Sequence, residues 1–346
     1  MQNKLKETFE KSLKRRDFLK CLGILGITFG IPPVYTAFKR EKLNKMHYVE
    51  RTLPLIGTFF TITILDSSLS RAEEAIEKGF LEVKRLDSIF NRFKSNTCIG
   101  ELNEKGEIKG IPIEMRKVIN KSFKYYHSTQ GAFDITVKPL VDLLKASFAN
   151  GRPPKEQEIK DTLSYVGAEY ISYNGKNIKF LKEGMGITLD GIAKGYIVDE
   201  VAELIRKLGV KNVLVNAGGD IRAIGEKSWK IAIKDPFNPD TYIEKICLKD
   251  GAIATSGNYE IYYDKEKLYA HIVNPHTGHC PARCCSVSIV ACKTIDADAL
   301  STAIFTISPV AGKSFIDKLP NVEGFIVAKN GMRLYSRGWY RYERGV

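Results

Sequence analysis

Between Gly57 and Phe90 the apolar residues change their period, and that change limits the fold more than any other feature. Gly57 to Leu65 alternates and is rich in Thr, Phe and Ile, the pattern of a strand. From Ser70 to Phe90, Ala72, Ala75, Ile76, Phe80, Val83, Leu86 and Phe90 recur at helical spacing, which predicts a long amphipathic helix. Further helices are expected over Glu114–Ser128, from Gly195 to Leu208 where Gly209 stops it, and over Asp296–Phe305. Strands are expected at Asn212–Val215, Trp229–Ile233, Ile246–Leu248, Ser286–Ala291 and Gly324–Ala328. The two kinds of element alternate irregularly and without internal repeats. The fold class is therefore α/β in the mixed α+β sense, not a barrel or a bundle.

Charge is unevenly placed along the 346 residues. The chain carries 53 Lys+Arg against 40 Asp+Glu, a net +13, and residues 1–46 hold more than half of the excess. The remainder is only mildly basic and has no Arg/Lys stripe interleaved with aromatics, so nucleic acid is not an expected partner. Lys14-Arg15-Arg16-Asp17-Phe18-Leu19-Lys20 precedes an apolar, Gly-containing run from Cys21 to Ile31 and then Pro32-Pro33. This layout resembles a twin-arginine export signal, with Lys14 where Ser or Thr is usual. The apolar run is too short to span a bilayer core of about 30 Å as a stable helix. The expected organisation is a signal or N-terminal anchor with linker over residues 1–46 and one domain over 47–346. It implies an exported, periplasmic or extracytoplasmic protein, attached to the membrane where the segment is kept.

Export would place the cysteines in a more oxidising setting. Cys98, Cys247, Cys280, Cys284, Cys285 and Cys292 remain beyond the signal, and four of them lie near His271, His276 and His279. The spacing lacks the paired C-x2-C of ordinary structural zinc sites. Free thiols with at most one disulfide are preferred to a soft-metal site.

Familiar nucleotide loops are absent. Gly312-Lys313-Ser314 resembles the end of a phosphate loop, but Ile307 stands where the first glycine must be. Asn216-Ala217-Gly218-Gly219-Asp220 lacks the dinucleotide fingerprint, and Ala254-Thr255-Ser256-Gly257-Asn258 lacks the first glycine of a nucleophile elbow. What survives is a series of glycine-rich and polar segments. Thr188 to Tyr196 opens a helix, where free N–H groups favour an anion and Lys194 adds positive charge. Asp298 and Thr302, one turn apart, put a carboxylate and a hydroxyl on one helical face, a pair of hard oxygens suited to Mg²⁺. The plainer alternative is an N-cap Asp with a back-bonded Thr.

In order, Ile56-Gly57-Thr58, Phe133-Asp134-Ile135-Thr136-Val137, Asp190-Gly191-Ile192-Ala193-Lys194-Gly195 and Asn216-Ala217-Gly218-Gly219-Asp220-Ile221 resemble the ApbE family of FAD:protein FMN transferases. So do Thr255 to Glu260, His271-Ile272-Val273-Asn274-Pro275-His276-Thr277-Gly278 and Ala297-Asp298-Ala299-Leu300-Ser301-Thr302. The resemblance implies a T-fold-related, two-lobed body with a cleft for FAD, which is a substrate, and Mg²⁺ at its pyrophosphate. It implies Asp298, Thr302 and the carbonyl of Ala193 as metal ligands. An acceptor Thr or Ser hydroxyl would attack the FMN-side phosphorus and AMP would leave, the acceptor being a flavoprotein subunit of a membrane redox complex.

Catalytic roles are assigned to His271 as proton acceptor and Lys194 as cation, with Asp220 and Asp134 as competing bases. Cofactor-lining residues are Gly57, Thr58, Phe93, Asp134, Thr136, Asp190, Gly191, Lys194, Gly218, Gly219, Ser256, Gly257, Asn258, Tyr259 and His271. Asp134 and Asp220 have a loop-holding alternative, and Phe93 a packing one. The chain departs from the usual pattern at Ile56, where Met is common, and at Thr188-Leu189-Asp190-Gly191, where Asp-Leu-Gly-Gly is common. The acid has thereby moved two positions along. Two rival functions remain open: an FAD pyrophosphatase yielding FMN and AMP, and a non-catalytic flavin- or metal-binding redox protein using the Cys/His cluster. An exported structural module with a relic cleft is a weaker third.

Overall fold

A computed structural model describes residues 42–43, 46–238, 240–257 and 272–343. Strands β1 (Lys42–Leu43), β2 (Met46–Leu55) and β3 (Thr58–Asp66) form an antiparallel meander. The chain then leaves the sheet through α1 (Leu69–Phe90), α2 (Cys98–Lys105), β4 (Glu107–Ile108), α3 (Ile113–Ser128), α4 (Lys138–Ala149) and α5 (Glu156–Leu163). The excursion ends with β5 (Ile171–Tyr173), β6 (Ile178–Phe180) and α6 (Ala193–Lys207). The sheet resumes as β7 (Asn212–Ala217) and β8 (Asp220–Ile224), followed by the hairpin β9 (Trp229–Lys234) and β10 (Tyr242–Leu248). After β11 (Gly251–Gly257) and β12 (Cys284–Ala291) come α7 (Thr294–Thr306), α8 (Pro309–Ile316), β13 (Glu323–Ala328), β14 (Arg333–Tyr335) and α9 (Tyr340–Glu343).

Nine of these strands make one sheet in the order β1-β2-β3-β7-β8-β11-β12-β13-β14. Every neighbouring pair is antiparallel. The helices therefore cover a sheet whose strands they do not cross over in parallel, the mixed α+β arrangement expected from the irregular alternation. The main core joins Phe60, Ile62 and Ile64 of β3 to Ala72, Ile76, Phe80, Val83 and Leu86 of α1 and to Val198, Val201 and Ile205 of α6. A second core joins Trp229, Ile231, Ile246 and Leu248 of the hairpin to Ile221, Ile253, Val290, Phe325 and Trp339.

Helix α1 follows its sequence pattern closely. All seven apolar positions that define its stripe are buried. The Ser68 side chain accepts from the Arg71 N–H and so caps the first turn. Gly79 lets the helix approach β3, because a Cβ there would lie 2.8 Å from Ile62 Cδ1.

Several expectations are corrected. The segment containing Ser256 and Gly257 is not a loop but the end of strand β11, whose residues from Gly251 to Ala254 are all buried and so show no alternation. The helix read from Gly195 begins at Ala193, with Gly195 inside it. Asp298 is not an N-cap, because α7 starts four residues earlier at Thr294. Gly312-Lys313-Ser314 lies within α8, in keeping with its exclusion as a phosphate loop. Cys98, Cys247, Cys280, Cys284, Cys285 and Cys292 are free thiols, and burial pushes the Cys284 thiol up to about 12. Among the described residues no helix is long and apolar enough to cross a membrane. The export-signal reading of residues 1–46 falls almost wholly outside the described residues.

Candidate active site

Two turns and two helices meet at one end of the sheet. The β2–β3 connection is the two-residue turn Ile56-Gly57, closed by the Leu55–Thr58 pair, with both residues in the left-handed region (φ 48° and 76°). Both central residues at positive φ define the turn whose twist matches antiparallel strands. Glycine adopts that conformation freely; a β-branched Ile56 does so under strain. The β7–β8 turn lies against it. A Cβ on Gly218 would sit 2.4 Å from Thr58 Oγ1, and the Gly218 N–H donates to the Phe59 carbonyl at 3.3 Å. The Asn216 side-chain oxygen accepts the Gly219 N–H at 2.9 Å. Gly57, Thr58, Gly218 and Gly219 thus form one backbone-rich corner.

Helices α6 and α7 supply the chemistry. They pack closely because Gly195 has no side chain: a Cβ there would lie 2.5 Å from the Thr294 carbonyl oxygen. The contact carries Asp298, fully buried, to the start of α6, where its Oδ2 accepts the Gly195 N–H at 3.0 Å. One turn on, Thr302 faces Gly191, whose missing Cβ would stand 2.8 Å from Thr302 Oγ1. Ser256 Oγ lies 2.8 Å from Ser301 Oγ and 3.3 Å from Thr302 Oγ1. Lys194 reaches from the first turn of α6 to Asp220 at the start of β8, with Nζ 2.8 Å from Oδ2. Gly191, Ala193, Lys194, Asp220, Ser256, Asp298 and Thr302 are thereby gathered from four segments.

The electrostatics follow from burial. Asp298 is held well above the ordinary carboxylate range by loss of water and then by Asp220, while Lys194 and the Gly195 N–H act the other way. Among the described residues two buried carboxylates, Asp298 and Asp220, lie near one ammonium, that of Lys194. A small hard cation suits this donor set, since it takes carboxylate, hydroxyl and carbonyl oxygens and completes its shell with water or phosphate. Gly191 leaves room beside Thr302 that a side chain would fill.

The sequence profile of the ApbE family matches residues 56–326. This chain belongs to the ApbE family. Among its relatives, the FAD:protein FMN transferase of Haemophilus influenzae is 29% identical over 274 residues, 73% of this chain and 78% of that protein. The FAD:protein FMN transferase of Vibrio cholerae is 29% identical over 281 residues, 75% of this chain and 81% of the other. The crystal structure of the ApbE protein of Thermotoga maritima superposes with a TM-score of 0.78 at 30% identity, covering 86% of this chain and 99% of that one. The flavin transferase ApbE of Vibrio cholerae superposes at 0.75 and 23% identity, covering 86% and 99%, which speaks for the fold alone.

The other assigned residues have partners of their own. Asp134 caps the short turn Ile135–Val137, accepting the Thr136 N–H at 2.8 Å and its hydroxyl at 2.6 Å. Thr136 is fully buried and accepts the Gly167 N–H at 2.7 Å. Burial raises Asp134 to about 6, against the pull of its Thr136 bonds. Asp190 is paired with Arg92, Oδ2 to Nη2 at 2.7 Å and Oδ1 to Nε at 3.1 Å. Phe93 is 77% exposed beneath that guanidinium, 4.5 Å from its ring centre, with Lys145 Nζ at 5.5 Å on the same ring. Asn258, Tyr259 and His271 lie outside the described residues. The turn after His271 is held by Asn274, whose Oδ1 accepts the His276 and Thr277 N–H groups and whose Nδ2 donates to Thr306 O.

Sequence reasoning assigned no role to Arg92, Ser301 or Asp199. Arg92 and Asp190 are 98 residues apart, so no local pattern announces their pair. Asp199 carried a signal that was present but mute: it stands one helical turn after Gly195, on the same face.

Proposed function

We propose that this protein transfers FMN from FAD to a Thr or Ser hydroxyl of an acceptor protein, releasing AMP, with Mg²⁺ as the required ion. The observation that carries the reading is the meeting of Asp298, Thr302 and the start of α6 beside the Lys194–Asp220 pair, in a chain whose relatives are named for this transfer. Asp298, Thr302 and the Ala193 carbonyl would hold the ion, which when bound neutralises charge on the pyrophosphate. The remaining work belongs to the chain. Lys194 brings a cation held 2.8 Å from Asp220, and Phe93 presents a flat exposed face. His271 is the preferred proton acceptor for the attacking hydroxyl. Residues 1–46 are read as the export signal, which would place the reaction outside the cytoplasm with a membrane redox subunit as acceptor.

The full chain incubated with FAD, Mg²⁺ and an acceptor domain bearing an accessible Thr is expected to leave covalent flavin on the acceptor, seen as in-gel fluorescence, with AMP in equal amount. Asp298→Ala is expected to lower turnover by ~10²–10³-fold, on the scale of losing a group that stabilises developing charge. AMP and free FMN without acceptor labelling would instead identify a pyrophosphatase. Neither product would remove the reading.

A further inference from the structure

Helices α6 and α7 cap one another. Asp298 of α7 accepts the Gly195 N–H at the first turn of α6. In return, Asp199 of α6 accepts the Thr294 N–H with Oδ1 and the Ile295 N–H with Oδ2, each at 2.9 Å, at the first turn of α7. The start of α7 has no cap of its own, because Lys293 occupies the N-cap position and makes no side-chain cap bond. An uncapped helix start leaves donors unsatisfied, and a carboxylate there meets both those donors and the positive end of the helix dipole. Asp199 is largely buried, its side chain 12% exposed, and Arg222 Nε stands 3.7 Å behind it. Thr294, Asp298 and Thr302 follow at intervals of four, so whatever fixes Thr294 fixes the face that carries the other two.

We infer that Asp199 is a positioning residue for the cation site: its two-armed cap on α7 sets the distance of Asp298 and Thr302 from the Ala193 carbonyl at the start of α6. The inference rests on the cation reading given above. The geometry is demanding because Gly195 leaves no slack. Both helix starts touch at van der Waals distance or closer for any added atom, so a shift of α7 cannot be absorbed by sliding. Asparagine at this place has one acceptor oxygen for two N–H donors and would turn an NH₂ group toward one of them. Glutamate keeps the charge and both oxygens, but its extra methylene pushes α7 away.

The test uses Mn²⁺ as a spectroscopic stand-in for Mg²⁺ and measures its dissociation constant by electron paramagnetic resonance, with FAD affinity measured separately without metal and thermal melts for each protein. Asp199→Asn and Asp199→Glu are expected to weaken Mn²⁺ binding ~10–100-fold, the range for residues that orient metal ligands, while FAD affinity changes by less than ~2-fold. Turnover is expected to recover at high Mg²⁺ concentration, which a general loss of structure would not allow. Where Asp199→Asn fails to fold, Asp199→Glu decides. Unchanged Mn²⁺ affinity in a folded variant, or loss of Mn²⁺ and FAD binding together in step with the melting temperature, overturns the inference. Wild-type protein that binds no Mn²⁺, or binds it equally well as Asp298→Ala, would remove the cation reading itself and this inference with it.

Discussion

The wall formed by α1 on β3 and the mouth formed by α6, α7 and the two glycine turns are built in opposite ways. The wall is mainly apolar: Ile62, Ile64, Ile76, Val83 and Leu86 are inaccessible to water, and the carboxylate buried at the end of β3, Asp66, is paired with Arg71 of α1. The mouth buries Asp298 and Asp220, keeps Ile56 at positive φ, and brings two helix starts together. Each of these costs stability that the wall must offset. The difference teaches where to look for function in this fold: at the places where burial and charge disagree.

Three substitutions probe that contrast, beginning with the largest effect. Leu86→Ala in the wall is expected to lower unfolding free energy by ~2–5 kcal/mol, the cost of a buried cavity, while transfer per folded molecule stays unchanged. Chemical denaturation and a rate normalised to folded protein check this; a selective loss of rate would show the wall to be part of the site. At a buried carboxylate outside the wall, Asp134, the sign reverses. Asp134 has a folded pKa of about 6, raised by burial, so between the unfolded value near 4 and 6 the native state binds the extra proton. Stability is therefore full below pH 4 and falls as pH rises to 6. Asp134→Asn, which still accepts the Thr136 N–H, should flatten that slope and gain ~3 kcal/mol at pH 7, with no gain at pH 4. Denaturation midpoints across pH 4–7 decide it. The smallest effect is at the turn: Ile56→Asn places Asn-Gly in a turn that favours it and should gain up to ~1 kcal/mol in thermal melts. A loss there would mean that Ile56 packing outweighs its backbone strain.

Legibility in the sequence divided along the same line. Strand β3, helix α1, helix α3 and strands β7 and β9 were readable because each has a face whose side chains repeat at the period of its own backbone, and β12 and β13, buried almost throughout, were readable as short runs rich in β-branched and aromatic residues. Strand β11 was not, since it is buried on both sides and shows no alternation. Helix α2 and strand β8 are short, eight and five residues, and give a period too few repeats to show. Among the site residues, the ordered motifs named Lys194, Asp220, Asp298 and Thr302. Arg92 went without a role because its partner Asp190 is reached only through the fold.

By itself the sequence determined the mixed α+β class, the principal helix, the family motifs and the residue types that chemistry at a diphosphate requires. Tertiary structure alone decided which of them touch: Lys194 with Asp220, Thr302 against Gly191, and Asp199 and Asp298 each on the other helix. Periodicity records what one backbone presents to its own surroundings. A bond between two helix starts depends on where the sheet places both, and a local pattern carries no information about that.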